Sequence, residues 1–137
     1  MKISSKTLSL LQSFAQISSN LLVKQGNKLA TRNVVNSIQA RAIVEETFPR
    51  QFAIYDLNQL LSLISVSQNP DVDFREKSLV IHSENGGEIE YFYADESLVT
   101  APNEQPPQME DVYVFKMTAT DINTIVKTAS IVSATML

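Results

Sequence analysis

Apolar side chains recur at helical spacing near the start of the chain and predict an α-helix over residues 5–17. Leu11 and Phe14 belong to its apolar face, and Ser4 or Ser5 can cap the free N–H groups of its first turn. Lys and Glu normally dominate a solvent-facing helix surface, but here the opposite face is polar and nearly uncharged. That face consists of Ser5, Ser9, Gln12, Ser13 and Gln16.

Short runs of β-forming residues follow this helix. Strands are predicted over residues 20–24, 28–32 and 37–44, and a turn over 25–27 separates the first two. In the third run, apolar and polar side chains alternate, as in a strand with one buried face. We therefore expect a helix followed by an antiparallel meander.

The same order of elements begins again near residue 51. A strand over 51–55 leads into Asp56, which caps a predicted helix over 57–65. The second helix again has an apolar face and an uncharged polar face, the latter formed by Asn58, Gln59, Ser62 and Ser65. Strands are then predicted over residues 72–74, 78–83 and 88–93.

A third start follows a proline-containing stretch. Residues 98–108 lack periodicity and predict a connector, whereas 112–117 alternate as a strand and precede a helix capped by Thr118 or Thr120. Repeated units bury their cores only together, so we expect the rest of a second domain to lie outside this chain. The predicted organisation is a first domain over 1–100 with repeats 1–50 and 51–100, a connector over 101–111, and the incomplete start of a second domain over 112–137.

The composition favours a folded protein and excludes several kinds of chemistry. The 137 residues are 44% hydrophobic and 19% charged, which argues against a disordered chain. With no Cys and a single His, the chain lacks thiolate sites and most His-based metal or triad chemistry. The carboxylates are scattered over predicted strands and turns, so we expect no enzymatic activity, no metal site and no cofactor. We also expect no membrane span and a cytoplasmic location.

The net charge of -4 conceals an uneven distribution along the sequence. Residues 1–50 carry seven Lys and Arg against two Glu, a net charge of +5, whereas residues 51–137 carry a net charge of -9, from four basic and thirteen acidic residues. Such a division is typical of a molecule with one face toward a polyanion.

Four short stretches carry a resemblance to a known family. They are Leu10-Leu11 with Phe14-Ala15 and Ile17; Lys24, Gly26 and Thr31-Arg32; Ala53-Ile54-Tyr55-Asp56-Leu57-Asn58 with Leu61; and Val99 with Ala101-Pro102-Asn103. Together they closely resemble the T-even-type bacteriophage DNA sliding clamps from residue 1 to about residue 103.

This resemblance implies an α+β DNA clamp fold in which helices line a central hole and antiparallel sheets form the outer layer. It implies a processivity factor without catalytic activity, whose subunits close into a homotrimeric ring around double-stranded DNA, independently of sequence. The implied partners are the replicative DNA polymerase and an ATP-driven clamp loader. A non-enzymatic peptide-binding or dimerisation module on a half-clamp scaffold is the alternative.

The resemblance also suggests site residues. The expected DNA-facing residues are Lys6, Ser9, Gln12, Gln16, Gln59 and Lys127, and the expected partner-peptide residues are Val34, Val35, Leu98 and Pro102. Ordinary solvation is the competing interpretation for the lysines, and local packing against the sheet is the competing interpretation for the valines. We expect surface charges that favour solubility at most of Lys24, Lys28, Arg32 and Arg41.

Overall fold

The structure, a computed structural model, describes residues 1–103 and 113–133. The chain divides into two units, Met1–Pro106 and Pro107–Leu137, which are described separately. In the first unit, helix α1 spans Ser5–Ile17 and helix α2 spans Leu57–Val66. Both begin where the sequence predicts, because a side-chain oxygen of Ser4 or Asp56 accepts the backbone N–H three residues further on.

The strands of the first unit all pair in antiparallel fashion. A short 3₁₀ turn over Glu96–Leu98 follows the last of them. The final three strands form a continuous meander, as predicted. The strands are β1 (Leu21–Val23), β2 (Gly26–Arg32), β3 (Gln39–Phe48), β4 (Phe52–Ile54), β5 (Asp71–Phe74), β6 (Ser78–His82) and β7 (Glu88–Phe92).

The predicted first meander is wrong in its pairing. β2 and β3 form a hairpin, but β1 does not pair with β2 and pairs with β4 instead. All three residues of β1 and all three residues of β4 are buried. Their backbone groups therefore need hydrogen-bond partners inside the protein, and the two strands supply these to each other. The predicted turn over 25–27 is also misplaced, because β2 already begins at Gly26, whose φ of 115° accompanies an irregularity in the β2–β3 pairing.

The two halves of the first unit exchange strands reciprocally. β4 precedes α2 and pairs with β1, which follows α1. In the same way Met1, which precedes α1, pairs with β5, which follows α2: Met1 and Val72 exchange backbone hydrogen bonds of 2.7 and 2.8 Å. Each helix is therefore bracketed by strand segments that are paired with the other half.

The hydrophobic core lies between the helices and the sheets. α1 and α2 pack against each other, and α1 also contacts β2 and β3. An aromatic cluster closes one side of the core, where the ring of Phe52 lies between Phe48, Phe74 and Tyr93, at centroid distances of 4.8–6.1 Å. The architecture is the predicted α+β combination of helices on antiparallel sheets.

In the second unit, α3 spans Ala119–Ile131 and begins with a capping box between Thr118 and Asp121. The predicted strand over 112–117 is wrong for the residues that the structure describes, since residues 113–118 form no strand. A strand needs a hydrogen-bonding partner, and the described residues supply none there. Residues 104–112 and 134–137, which include much of the predicted connector, lie outside the described residues. None of the helices within residues 1–103 and 113–133 has the length and apolar character needed to cross a membrane.

Candidate nucleic-acid and partner interfaces

The exposed faces of α1 and α2 form a polar surface that is almost uncharged. Neither helix contains an acidic residue, and Lys6 is the one basic residue in the two. Because the helices pack against each other, the helix that carries four of the predicted DNA-facing residues lies beside the helix that carries the fifth. The exposed polar residues are Ser5, Lys6, Ser9, Gln12, Ser13 and Gln16 on α1, and Asn58, Gln59, Ser62 and Ser65 on α2.

Several serines on this surface use their hydroxyl protons within their own helix. Ser13 donates to the carbonyl oxygen of Ser9 at 3.2 Å, and Ser62 donates to that of Asn58 at 2.9 Å. Ser65 donates to the carbonyl oxygen of Ser62 at 2.7 Å. These serines therefore present mainly acceptor lone pairs outward, and the donors available to an anion are the side-chain amides, the hydroxyls of Ser5 and Ser9, and Lys6.

Lys6 is held only loosely. Its ammonium lies 3.8 Å from a carboxylate oxygen of Glu45, and both side chains are largely exposed. An exposed pair at that separation contributes little, so the Lys6 ammonium can move toward another anion at small cost. Lys127, the other predicted cationic contact, lies on the exposed surface of α3 in the second unit.

A buried carboxylate fixes the start of α1. Glu46 on β3 is only 8% exposed, and it accepts hydrogen bonds from the Ser4 N–H at 2.5 Å and the Thr7 hydroxyl at 2.6 Å. Burial alone would raise the pKa of Glu46, but the hydrogen bonds from Thr7 and Ser4 outweigh burial and hold that pKa below its ordinary value. This cap was missed from the sequence, which gave no indication that β3 reaches the helix terminus.

The predicted partner-binding valines lie at the tip of the β2–β3 hairpin. Val34 and Val35 are each 78% exposed, so the competing interpretation of local packing against the sheet is wrong. Asn33 orders the tip, because its side-chain oxygen accepts the N–H groups of Ser37 and Ile38 at 2.8 and 3.1 Å. The hairpin thus presents two apolar side chains on a turn whose backbone is hydrogen-bonded to Asn33.

The chain segment that follows β7 is tied to this hairpin. The Arg32 guanidinium donates to the carbonyl oxygen of Ala101 at 2.6 Å, and Arg41 donates to the carbonyl oxygen of Asn103. The Asn103 side chain in turn donates to Asn36 at 3.2 Å. The first residues of the predicted connector are therefore fixed across β2 and β3.

The four predicted partner-binding residues do not line one cavity together. Pro102 lines a cavity of about 510 Å³ whose walls include Lys24 and Lys28, but Val34, Val35 and Leu98 do not contribute to it. Leu98 is 60% exposed at the end of the 3₁₀ turn.

The acidic strands of the second half show no metal-binding arrangement. His82 lies on β6 with its Nδ1 3.0 Å from a carboxylate oxygen of Glu88. Within residues 1–103 and 113–133, no group of three His, Asp or Glu side chains is placed to hold a metal ion.

The first unit has two adjacent helices with neutral polar faces, which pack on antiparallel sheets, and its two halves exchange strand segments. These features define a clamp-type α+β fold. No protein-family model matches the chain. It is 29% identical over 133 residues to the sliding clamp of Vibrio phage KVP40, covering 95% of this chain and 60% of that protein. It is 31% identical over 104 residues to the sliding clamp of Escherichia phage RB69, covering 75% and 46% respectively.

The sliding clamp of Enterobacteria phage T4 is 30% identical over 128 residues, covering 93% of this chain and 56% of that protein. The chain is therefore related to the T-even-type bacteriophage sliding clamps, and the resemblance stated from the sequence is confirmed. The chain spans about half the length of the curated relatives it matches, from 46% to 60%.

Proposed function

We propose that this chain forms part of a sliding-clamp subunit, which encircles duplex DNA and tethers a replicative DNA polymerase as a processivity factor. The observation that carries the proposal is the adjacent pair α1 and α2, whose exposed faces are polar, free of acidic residues and nearly free of basic ones. All three relatives are named sliding clamp, which supports the same function.

A neutral helix surface suits a ring that must move along DNA. Each phosphate that a protein neutralises adds about 0.9 to the slope of log affinity against log salt concentration, so many fixed ion pairs would hold a ring in place. On α1 and α2 the amides of Gln12, Gln16 and Gln59 and the hydroxyl of Ser9 would meet DNA through water or weak hydrogen bonds, and Lys6 would supply an occasional phosphate contact. Lys127 would add a second such contact from α3.

The assembly and its partners belong to the same proposal. The full ring would be a homotrimer, opened by an ATP-driven clamp loader, and it would act in the host cytoplasm without catalytic activity. The first clamp domain would extend over residues 1–100, with a connector over 101–111 and a second domain beginning at 112. The name sliding clamp, which the three relatives share, supports the assembly as a clamp.

Partner peptides would dock at the hairpin tip and along the adjoining chain segment. Val34 and Val35 support this role because two exposed aliphatic side chains on an ordered turn are available to an apolar peptide side chain. Leu98 and Pro102 would extend the surface along the segment that the hairpin holds.

The proposed DNA-facing role of α1 and α2 can be tested by adding positive charge to their exposed faces. In the Gln12→Lys/Gln59→Lys double variant, two new ammonium groups would face phosphate, and the magnitude of the salt slope for retention on duplex DNA should rise by about 0.9 per new contact. Escape of loaded protein from the ends of linear DNA should slow accordingly. The assay uses protein loaded on nicked circular DNA by its cognate clamp loader and then released by linearisation.

Thr47→Lys is the matched control. Thr47 is an exposed residue of β3, next to the buried Glu46, and belongs to neither α1 nor α2. This control should leave both the salt slope and the escape rate unchanged. Equal behaviour of the double variant and the control would refute the assignment of α1 and α2 as the DNA-facing surface.

A further inference from the structure

The β2–β3 hairpin has two faces of different character. Pairing of Leu29 with Ala42, and of Thr31 with Ala40, forms the face that packs on the core beneath α1. Because side chains alternate along a strand, the opposite face carries the intervening pairs. Those pairs are Lys28 with Ile43, Ala30 with Arg41, and Arg32 with Gln39. Three cations and an exposed isoleucine thus share the outer face of one hairpin.

Residues 101–103 convert part of this face into a cavity. Main-chain carbonyl groups of this segment accept hydrogen bonds from Arg32 and Arg41, so those two guanidinium groups position the wall. The cavity of about 510 Å³ is lined by Lys24, Lys28 and Pro102, among others, and none of the residues within 1–103 that line it is an Asp or a Glu.

A second cavity, of about 530 Å³, adjoins the first and extends it over apolar surface. The two share Lys28, Ala30 and Arg41, and the second reaches Ile43, whose side chain is 73% exposed. Lys24 and Lys28 form no ion pair with any residue in the described ranges. Among the described residues, therefore, two ammonium groups without an ion-pair partner lie beside apolar surface.

We propose that this outer hairpin face, lined by Lys24, Lys28, Ala30 and Ile43, binds an acidic peptide segment of a partner protein. Carboxylates of the peptide would pair with Lys24 and Lys28, and an adjacent apolar side chain would pack on Ala30 and Ile43. The inference rests on the proposed docking of partners beside the chain segment 98–102, and it specifies the chemistry of the peptide that docks there.

The position of this face favours a peptide over DNA as the occupant. α1 packs on the inner face of the same hairpin, so Lys28 points to the side of the sheet opposite α1. A duplex that lies along the exposed faces of α1 and α2 would therefore leave the Lys28 side chain on the far side of the hairpin. Lys28, Arg32 and Arg41 belong to the outer face, whereas Lys6 belongs to α1 and approaches Glu45 of β3.

The test compares two synthetic nine-residue peptides with the full chain, by fluorescence anisotropy. The first has a central Leu-Phe pair flanked on each side by two Asp residues, and in the second every Asp is replaced by Asn. The acidic peptide should bind about tenfold more tightly, and high salt should reduce that advantage. Lys24→Gln/Lys28→Gln should bring the affinity for the acidic peptide down to that for the Asn peptide. Lys77→Gln, which removes an exposed charge from the β5–β6 turn, is the matched control and should change neither affinity.

Several results would overturn the proposal: equal affinity for the two peptides, no binding of either, or no effect of Lys24→Gln/Lys28→Gln. Displacement of the acidic peptide by a short DNA duplex would also overturn it. So would displacement of the peptide when the chain self-associates, as measured by sedimentation. A Val34→Ser/Val35→Ser variant separates this inference from the proposed valine site. Loss of binding only in the valine variant would leave the valine site standing and refute the acidic site, whereas loss only in the lysine variant would do the reverse.

Discussion

Removal of the Glu46 carboxylate should destabilise the first unit more than any exposed substitution. The carboxylate accepts hydrogen bonds from the Ser4 N–H and from the Thr7 hydroxyl at the first turn of α1, and Thr7 is only 2% exposed. In Glu46→Ala both donors lose their partner. A buried donor without an acceptor incurs its full desolvation penalty, because water cannot replace the missing oxygen.

The expected loss is about 2–4 kcal/mol, since hydrogen bonds to a charged group contribute about 1.5–3 kcal/mol each and Ser4 is partly accessible to water. For a folded unit of about 100 residues, this loss corresponds to a fall in Tm of about 10–20 °C. Glu45→Ala is the matched control. Its carboxylate is exposed and lies 3.8 Å from Lys6, so its loss should change stability by no more than about 0.5 kcal/mol.

The effect should also depend on pH in a defined direction. The pKa of Glu46 lies below its ordinary value of 4.5, because hydrogen bonds from Thr7 and Ser4 outweigh the opposing effect of burial. A carboxyl group whose folded pKa is lowered stabilises the fold above its unfolded pKa, and that contribution is lost as the pH falls through the folded pKa. The difference in stability between wild type and Glu46→Ala should therefore be largest near neutral pH and shrink below about pH 4.5.

Chemical denaturation followed by circular dichroism, repeated at several pH values, measures these differences directly. Equal destabilisation by Glu46→Ala and Glu45→Ala would refute the buried cap. So would a loss in Glu46→Ala that stays the same from neutral to acidic pH, since the hydrogen bonds to an ionised carboxylate could not then be its cause.

Two further predictions concern the second half of the first unit. Burial raises the pKa of Tyr93 to about 12, and its hydroxyl has no hydrogen-bond partner within the described residues. Tyr93→Phe should therefore leave stability unchanged or raise it by up to about 1 kcal/mol. As the pH rises from 10 toward 12, wild type should lose stability because Tyr93 ionises more readily in the unfolded chain, and Tyr93→Phe should lose less. Thermal unfolding at several pH values measures both effects. A clear destabilisation of Tyr93→Phe at neutral pH would contradict the prediction. Gly86 turns the β6–β7 hairpin with a φ of 88°, so Gly86→Ala should destabilise by about 1 kcal/mol in urea titrations, whereas the same change at Gly87, which has no positive φ, should cost less.

The helices were predictable because their signals are local. A capping residue followed by apolar side chains at helical spacing defined α1 from Ser4 and α2 from Asp56, and both helices begin where those residues predict. The uncharged polar faces followed from the same periodicity. Both features depend only on residues within one helix.

Pairing between distant strands was not predictable in the same way. β1 and β4 are three-residue strands that are buried throughout, and they lack the alternation that would identify a face or a partner. The strand expected over 112–117 shows the opposite case, because alternation was present but residues 113–117 have no partner strand in the described part of the chain.

The candidate sites were predictable in residue type but only partly in arrangement. The excess of positive charge in the first fifty residues was visible in the sequence, and the alternation predicted over 37–44 agrees with the face that Arg41 and Ile43 share. The cavity that Lys24 and Lys28 share with Pro102 depends on a contact between residues about 75 positions apart in the chain, which no local pattern encodes.

The reciprocal pairing of Met1 with Val72 and of β1 with β4 has a consequence for how the first unit comes apart. Neither half has a complete hydrophobic core of its own, since strand segments of each half pair with segments of the other. Melting should consequently proceed in one concerted step. Two polypeptides produced by a cut near Pro49 would be expected to recover the native arrangement only by associating with each other.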